Sequence, residues 1–520
     1  MKILFVDCLN SGNFDKWKEV IPIAPRKITG ILKEEKVEFK FLTYFDFLRK
    51  RRISKDFDIL MVSAMYTDLK QARNVRSLWK KYAKNKLKVI GGPISEDPKI
   101  ALRRAGYDLA VVGEGEVSVR KLLEISFDMN ANLKEIENLA FEKDGKIIKT
   151  ERRWLKKEEI EKFKNNNRIV KNYPFYFASK IYVEVVRGCS NFRRVRENCL
   201  NCNICFEGPL EQRVKCPIGI PPGCGYCSVP SMFGPPRSIS EEIIVREIKE
   251  LVELGVRRVV LEAPDLLDYG REELVKPKPL TDPRSPGPNI EKLESLFKKI
   301  FGIKEVRSGK ISVLIENIKA NLADESVVEV LGRYFKNSEI HLGCETGDRK
   351  HAEKIGRPLY PEEVLRATKL LKKVGLKPHI YFIYGLPFQT RKSVENTIKI
   401  MEECVKEGAE RILVYRFLPL PSSSFYLYPK ANPNDPLNLK IREKAEKINL
   451  NLKRRLIGKI KDHIIVEKRG KYFIGYPLKD GPTLLIEGKD LEIGRVYKVR
   501  ISGIKRENLL FARPIRKINL

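Results

Sequence analysis

Seven of the ten cysteines in this 520-residue chain, Cys189, Cys199, Cys202, Cys205, Cys216, Cys224 and Cys227, fall within one window of 39 residues. Thiols at that density pair as disulfides in an oxidising compartment or hold metal in a reducing one. No run approaches the ~20 apolar residues that span a bilayer. Met1 to Asp7 is too short an apolar run for a secretory leader and reads as a buried strand. The expectation is a cytoplasmic protein whose clustered cysteines bind metal. Cys8, Cys344 and Cys404 lie apart, and Cys344 and Cys404 read as small buried core residues.

Spacing divides the window into two sets. Cys199, Cys202 and Cys205 form a CxxCxxC run, with Cys216-Pro217 after ten intervening residues. That resembles the ferredoxin spacing, in which three close thiolates take one face of a cubane and a remote cysteine closes it. Structural zinc more often uses two separated CxxC pairs. A second, auxiliary [4Fe–4S] cluster is therefore favoured, with a single metal ion as the alternative. The other set is Cys189, just past the apolar run Tyr182 to Val186, and the CxxC of Cys224-Gly225-Tyr226-Cys227.

Glu184-Val-Val-Arg187-Gly188-Cys189 followed by Cys224-Gly-Tyr-Cys227 resembles the CxxxCxxC signature of radical S-adenosylmethionine (SAM) enzymes. It departs from that pattern by a 34-residue insert, 190–223, where the family usually has three residues. The resemblance implies that Cys189, Cys224 and Cys227 ligate three irons of a [4Fe–4S] cluster and that SAM chelates the fourth. One electron, from a donor such as ferredoxin or flavodoxin, then cleaves SAM to a 5′-deoxyadenosyl radical, while the protein positions the cofactors and excludes water. Further matches follow in order. Cys227-Ser-Val-Pro230 through Arg237-Ser238-Ile-Ser240-Glu241-Glu242 is similar to the same stretch of tRNA methylthiotransferases, although Ser238 or Ser240 also suits a helix cap. Leu342-Gly-Cys-Glu345-Thr-Gly-Asp348 with Arg357 resembles the SAM-contacting strand and loop, and Tyr384-Gly-Leu-Pro387 the sixth-strand turn. By the same resemblance Tyr226 packs on adenine, and Glu345 and Arg357 are polar SAM contacts.

Elements that place these residues are legible in the patterning. In the first ~125 residues, strand-like runs (Lys2 to Val6, Val37 to Leu42, Ile59 to Ser63, Lys88 to Ile90, Leu109 to Val112) alternate with amphipathic helical runs. That alternation predicts a doubly wound, Rossmann-like α/β domain over 1–130. Residues 131–175 read as a connector with a hairpin near Lys143-Asp144-Gly145-Lys146. Over 176–435, strand runs at Ile181 to Val186, Arg258 to Glu262, Ile311 to Ile315, Glu339 to Leu342, His379 to Ile383 and Arg411 to Tyr415 predict a full or partial TIM-type barrel. The Pro-rich stretch Val275 to Asn289 reads as a surface loop. Over 450–520, short alternating strands with no room for crossover helices predict a small all-β, OB-like barrel of five strands.

The flanking domains extend the resemblance. Gly91-Gly92-Pro93 and Gly113-Glu114-Gly115-Glu116 resemble turns of the cobalamin-binding domain that precedes many radical SAM enzymes. They make Gly91, Gly92, Gly113 and Glu114 candidate cofactor contacts. Where that family's Asp-x-His-x-x-Gly stands, this chain reads Asp7-Cys8-Leu9-Asn10-Ser11-Gly12. Cobalamin therefore either binds without a protein ligand at cobalt or has been lost. The C-terminal module resembles the TRAM domain of tRNA-modifying enzymes, with Tyr472, Phe473 and Tyr476 available either for base stacking or for barrel core.

Lys and Arg number 101 against 68 Asp and Glu, a formal net charge of +33. Ion-pair networks of the thermophile kind need both signs, so this one-sided excess favours a polyanionic partner. The combined expectation is RNA (tRNA or rRNA) base methylation, with or without cobalamin. An RNA methylthiotransferase is one alternative, and a radical SAM enzyme acting on a lipid, peptide or small metabolite is another. Four cysteines saturate the second cluster, whereas the methylthiotransferase resemblance would call for three and an open iron. That difference leans the reading toward methylation.

Overall fold

A computed structural model describes residues 1–8, 20–84, 86–195, 202–506 and 509–518. The chain divides into two compact units, the first Met1–Tyr176 with Lys180–Tyr182 and Met232–Gly234, the second holding the remainder.

The first unit is built on one seven-stranded sheet. Strands Glu38–Thr43, Lys2–Asp7, Ile59–Ser63, Leu87–Gly91 and Leu109–Val111 lie side by side and parallel. Ile59 to Ser63 is apolar at nearly every position because both faces of a parallel sheet are covered. Leu4, Val6, Leu60, Val62, Ile90 and Trp79 form the core on one side. The 131–175 stretch is not a separate connector. Its hairpin, Leu139–Lys143 and Lys146–Lys149, pairs antiparallel onto the strand Leu109–Val111 and completes the sheet.

In the second unit the strands Arg258–Glu262 and Ser312–Ile315 pair in parallel, in one sheet with the strand Lys180–Glu184, of which Val183 and Glu184 belong to this unit. Asn317–Ile318, Glu339–Glu345, Lys377–Tyr384 and Arg411–Arg416 form a second, parallel one. The break at Glu316 passes the third strand from one sheet to the other, giving a partial barrel of six strand positions. Helices Glu241–Glu253, Ile290–Phe301, Glu325–Phe335, Pro361–Lys373 and Arg391–Lys406 lie between the strands. Their starts are signalled in sequence: Asp324 and Thr390 each accept a backbone N–H of the first turn. Ser240 takes the cap position before Glu241–Glu253. Ser238 instead donates to Glu272 and accepts from the Gly270 N–H.

The Pro-rich stretch is not a loose surface loop. Leu280 and Thr281 are fully buried, Arg271 donates to the Pro286 carbonyl, and Arg213 pairs with Asp282 at 2.6 Å. Prolines contribute no backbone N–H to such a stretch, and Arg271 supplies a donor for the Pro286 carbonyl.

A 19-residue helix, Pro436–Arg454, leads into the last module. There the strands Ile460–Arg469, Tyr472–Pro477, Thr483–Glu487, Val496–Arg506 and Leu509–Ile518 close a barrel in the order first–second–third–fifth–fourth. The third and fifth strands run parallel and the other pairings antiparallel, which is the OB-type path. Phe473, Ile486, Val499 and Leu510 fill it. Phe473 and Tyr476 are buried and so belong to the barrel interior rather than to a stacking face. Tyr472 stays half-exposed, its ring 5.5 Å from that of Phe511. Among the described residues no helix is long and apolar enough to cross a membrane.

Candidate active site

Cys189 follows directly from the short strand Val186–Arg187, where Arg187 is fixed by Glu184 at 2.6 Å. The Cys224–Cys227 segment is a tight turn in which the Cys227 N–H donates to the Cys224 carbonyl at 2.8 Å. Asn191 ties the two segments together. Its backbone N–H donates to Cys189 Sγ at 3.4 Å and its side-chain amide to Cys224 Sγ at 3.3 Å. The three thiols are near enough to act on one another. Burial raises the pKa of Cys189 to about 11, Lys319 working against that rise. Burial, then Cys224 and Cys189, raise Cys227 to about 12. Cys189 and Cys227 stay protonated near neutrality unless a cation supplies the missing charge, which is what an iron–sulfur cluster does. The residues present therefore fit a cubane held by three cysteines.

Arg357 and Glu345 stand beside it. The Arg357 guanidinium donates to the Gly343 carbonyl and reaches Cys224 Sγ at 3.8 Å. It lies 3.6 Å from the Glu345 carboxylate. Burial pushes the Glu345 carboxyl up, and Arg357 and the Tyr226 hydroxyl oppose that rise. Glu345 sits at φ +69° at a bulge ending its strand. A non-glycine residue in the left-handed region is strained and marks places where function sets the backbone. Tyr226, Glu345 and Arg357 thus come together at the cysteines, as the sequence order predicts.

Sequence reasoning misses the charged group beneath Cys189. Lys319 donates to Ser190 Oγ and to Asp268, both at 2.9 Å, and lies 3.1 Å from Asp265. Ser190 also donates to Asp268, as does Arg271. Lys319 is 7% exposed and both aspartates are fully buried. Burial opposes the Lys319 charge, but Asp268, Cys189 and Asp265 outweigh it and raise its pKa. The available signal is position: Asp265 and Asp268 follow the strand Arg258–Glu262, and Lys319 follows the third strand.

Of the second cysteine set, Cys199 lies outside the described residues. Cys205 is buried and its Sγ accepts from Arg194 at 3.0 Å. Arg194, itself buried, also donates to the carbonyls of Phe192, Arg213, Val214 and Ile220. It joins the two described ends of the insert, 190–195 and 202–223. Cys202 and Cys216 are partly exposed. Cys344 and Cys404 are buried in the core.

In the first unit, Gly91, Gly92 and Gly113 lie at strand carboxyl ends. A Cβ at Gly91 would meet nothing nearer than 3.9 Å, so the fold's own packing does not demand a glycine there. Gly92 differs: at φ +90° its Cβ would stand 2.7 Å from the Ala64 carbonyl oxygen, so the backbone itself requires that glycine. Glu114 is buried and accepts the Leu155 N–H at 2.5 Å, bracing the chain after the hairpin. The chain's four histidines, His341, His351, His379 and His463, all lie in the second unit. Asp7 is committed to the Tyr173 hydroxyl at 2.5 Å, and Leu9 lies outside the described residues.

Residues 215–401 match the model of the Radical SAM superfamily. The chain is 40% identical over 96% of its length to "Uncharacterized protein MJ1620" of Methanocaldococcus jannaschii, covering 96% of that protein. It is 24% identical to the tRNA-2-methylthio-N(6)-dimethylallyladenosine synthase of Clostridium botulinum, over 65% of this chain and 64% of that one. It is also 24% identical to the ribosomal protein uS12 methylthiotransferase of Thermodesulfovibrio yellowstonii, over 58% and 68%. Among solved structures, the fold is similar to the radical SAM methyltransferase TsrM from Kitasatospora setae, at TM-score 0.58 and 13% identity, over 82% of this chain and 75% of that chain. The cobalamin-dependent SAM radical enzyme OxsB, solved with aqua-cobalamin, is similar at TM-score 0.57 and 13% identity, over 87% and 56%.

Proposed function

Given that the chain belongs to the radical SAM superfamily, in one family with MJ1620, we propose that it is a methyltransferase acting on a base of tRNA or rRNA. The observation that carries the enzyme reading is the meeting of Cys189, Cys224 and Cys227 with Arg357 and Glu345 at the carboxyl ends of the barrel strands. Three thiolates leave one iron of a cubane for SAM, and the bound pair supplies radical chemistry on reduction. Glu345 and Arg357 offer a carboxylate and a guanidinium for the polar end of SAM, and Tyr226 offers a ring for its adenine. Lys319 and Arg271 together balance the two carboxylates, Asp265 and Asp268, under Cys189.

Methyl rather than methylthio transfer is supported by the second cysteine set. Cys199, Cys202, Cys205 and Cys216 supply four thiolates, enough to saturate an auxiliary cubane and leave no iron open to sulfide. The glycine strand ends of the first unit, Gly91, Gly92 and Gly113, are the place for cobalamin, which supplies methyl-carrying chemistry when bound. RNA is supported by the net charge of +33 and by the OB-type barrel. On that barrel, the half-exposed Tyr472 and Phe511 rings lie near Lys471 and Lys505.

A second reading is favoured by one observation: a similar protein is named for a ribosomal protein rather than an RNA. The substrate would then be a ribosomal protein segment. Mass spectrometry of ribosomal RNA and tRNA nucleosides, and of ribosomal proteins, from cells with and without the gene decides between them. A nucleoside that loses one methyl mass on deletion supports the proposal. Unchanged nucleosides with a lighter ribosomal protein overturn it.

A further inference from the structure

The geometry points to a further, sulfur-free metal site at Glu339, His341 and His379, taking a first-row divalent cation of the zinc class. These three residues lie on one face at the amino ends of two neighbouring strands, with His341 and His379 directly opposite in register. The imidazoles stack with centroids 5.4 Å apart and planes inclined by 17°. Glu339 Oε2 is 3.9 Å from His341 Nε2 and 4.0 Å from His379 Nδ1, and one donor atom from each residue lies within 4.8 Å of the others. Those separations are too long for hydrogen bonds. They are little more than the spacing of two donors on one ion, which sits about 2.0–2.1 Å from nitrogen or oxygen.

The surrounding contacts orient the donors for such an ion. Tyr381 Oη is 2.7 Å from His341 Nδ1, which leaves Nε2 as the nitrogen turned toward Glu339. A ligating histidine is normally held in this way through its other nitrogen. Glu339 Oε1 accepts the Gly481 N–H at 3.1 Å, so its second oxygen faces the imidazoles. The nearby cations Lys377 and Lys461 share the carboxylate of Asp480, so their ammonium groups are drawn to it rather than to Glu339. Among the described residues no other trio of His, Cys, Asp or Glu donors comes within reach of a single ion. The thiols that would hold a cubane are spread more widely than this. Two of only four histidines in 520 residues meet at this point.

Two imidazoles and one carboxylate suit Zn2+ and leave an open position for water. Glu339 and Glu345 are at opposite ends of one strand, about 20 Å apart at ~3.3 Å per residue. The ion is thus remote from the SAM-side chemistry and at the barrel face where stability is set. Through Glu339 it would secure the Gly481 turn of the C-terminal barrel to the partial barrel.

The test uses anaerobically prepared protein with its iron–sulfur sites filled, dialysed against Zn2+ and measured by elemental analysis and zinc-edge X-ray absorption. Expected is one zinc per chain with only nitrogen and oxygen neighbours at about 2.0–2.1 Å. His379→Ala and Glu339→Gln should lose it with iron content unchanged. Glu339→Gln keeps an acceptor for Gly481, so it separates metal loss from unlatching. Tyr381→Phe should weaken zinc binding about 10–100-fold, the usual effect of removing an outer hydrogen bond. Zinc with sulfur neighbours, zinc undiminished in both ligand variants, or no zinc bound by the native chain would overturn the site.

Discussion

A Cβ placed on Gly225 would stand 2.4 Å from the Phe425 ring. The Phe425 N–H donates to the Gly225 carbonyl at 2.8 Å, so the Cys224–Cys227 turn is seated on an aromatic cluster formed with Phe388, Phe417 and Tyr428. Gly225→Ala should force the turn off Phe425, at a cost of about 1–3 kcal/mol for overpacking. The expected outcome is a folded protein with reduced iron and little 5′-deoxyadenosine formation. Native iron content and turnover would show that the turn is not braced in this way.

Replacing Cys189, Cys224 or Cys227 with Ala removes one thiolate from the proposed SAM-binding cubane. Reconstituted protein should fall from about eight irons to about four, with 5′-deoxyadenosine formation abolished. In the native chain, labelled SAM should deliver carbon to product without sulfur, because four cysteines saturate the auxiliary site. Methyl and new sulfur appearing together would return the chain to methylthio transfer.

Lys319→Met leaves Asp265 and Asp268 buried without their ammonium partner, although Arg271 still pairs with Asp268. Breaking a buried pair on one side costs about 3–5 kcal/mol. A positive charge beside Cys189 also favours the reduced cluster, so its midpoint potential should shift negative. Lys319→Arg should restore most of it. Redox titration followed by electron paramagnetic resonance separates this effect from simple destabilisation, since an unchanged potential would make Lys319 structural alone.

The cysteine site and the charged group beneath it differ in how far the sequence discloses them. The cysteine order points to the active-site end directly. In the same way Ile59 to Ser63 is readable as a strand, because four apolar residues, Ile59 to Val62, bounded by Asp58 and Ser63 have few other uses. Lys319, Asp265, Asp268 and Arg271 are not readable, because a charged residue in sequence looks like surface until its partners are brought from three separate segments. The helix Pro436–Arg454 escapes for a related reason. Its buried positions include Asn438, Asn449 and Lys453, so it shows only a faint apolar stripe. Asn449 spends its amide on the Ile412 backbone, donating at 2.6 Å and accepting at 3.0 Å. The role of Glu114 as acceptor for the Leu155 N–H is equally unreadable, because its partner lies 41 residues on and nothing in the turn's sequence points to it.

His463 gives a pH signature. Burial, opposed by the Pro482 carbonyl 3.0 Å from its Nε2, lowers its pKa to about 4. The unfolded chain takes up the proton near pH 6.5, so the neutral form favours folding above that pH. The contribution is lost as pH falls from about 6.5 to 4, at roughly 1.4 kcal/mol per unit. Thermal unfolding followed from pH 7 to 5 should show a falling midpoint, and His463→Gln should flatten that slope. An equal slope in the variant would place the acid sensitivity elsewhere.

RNA binding is tested on the C-terminal barrel without unlatching it. Tyr472 and Phe511 are half-exposed, with Lys471 over the first ring at 5.1 Å and Lys505 over the second at 5.9 Å. A base stacked on an aromatic ring contributes about 1–3 kcal/mol, so Tyr472→Ala should weaken RNA binding by about tenfold or more. Lys505→Ala should instead lower the salt slope of log K by about 0.7 to 0.9 for each phosphate that is no longer neutralised. Both rings lie outside the cysteine site, so SAM cleavage in the absence of RNA should be unchanged in either variant. RNA affinity and salt slope that match the native protein in both would remove the barrel from the RNA interface and favour the ribosomal-protein substrate.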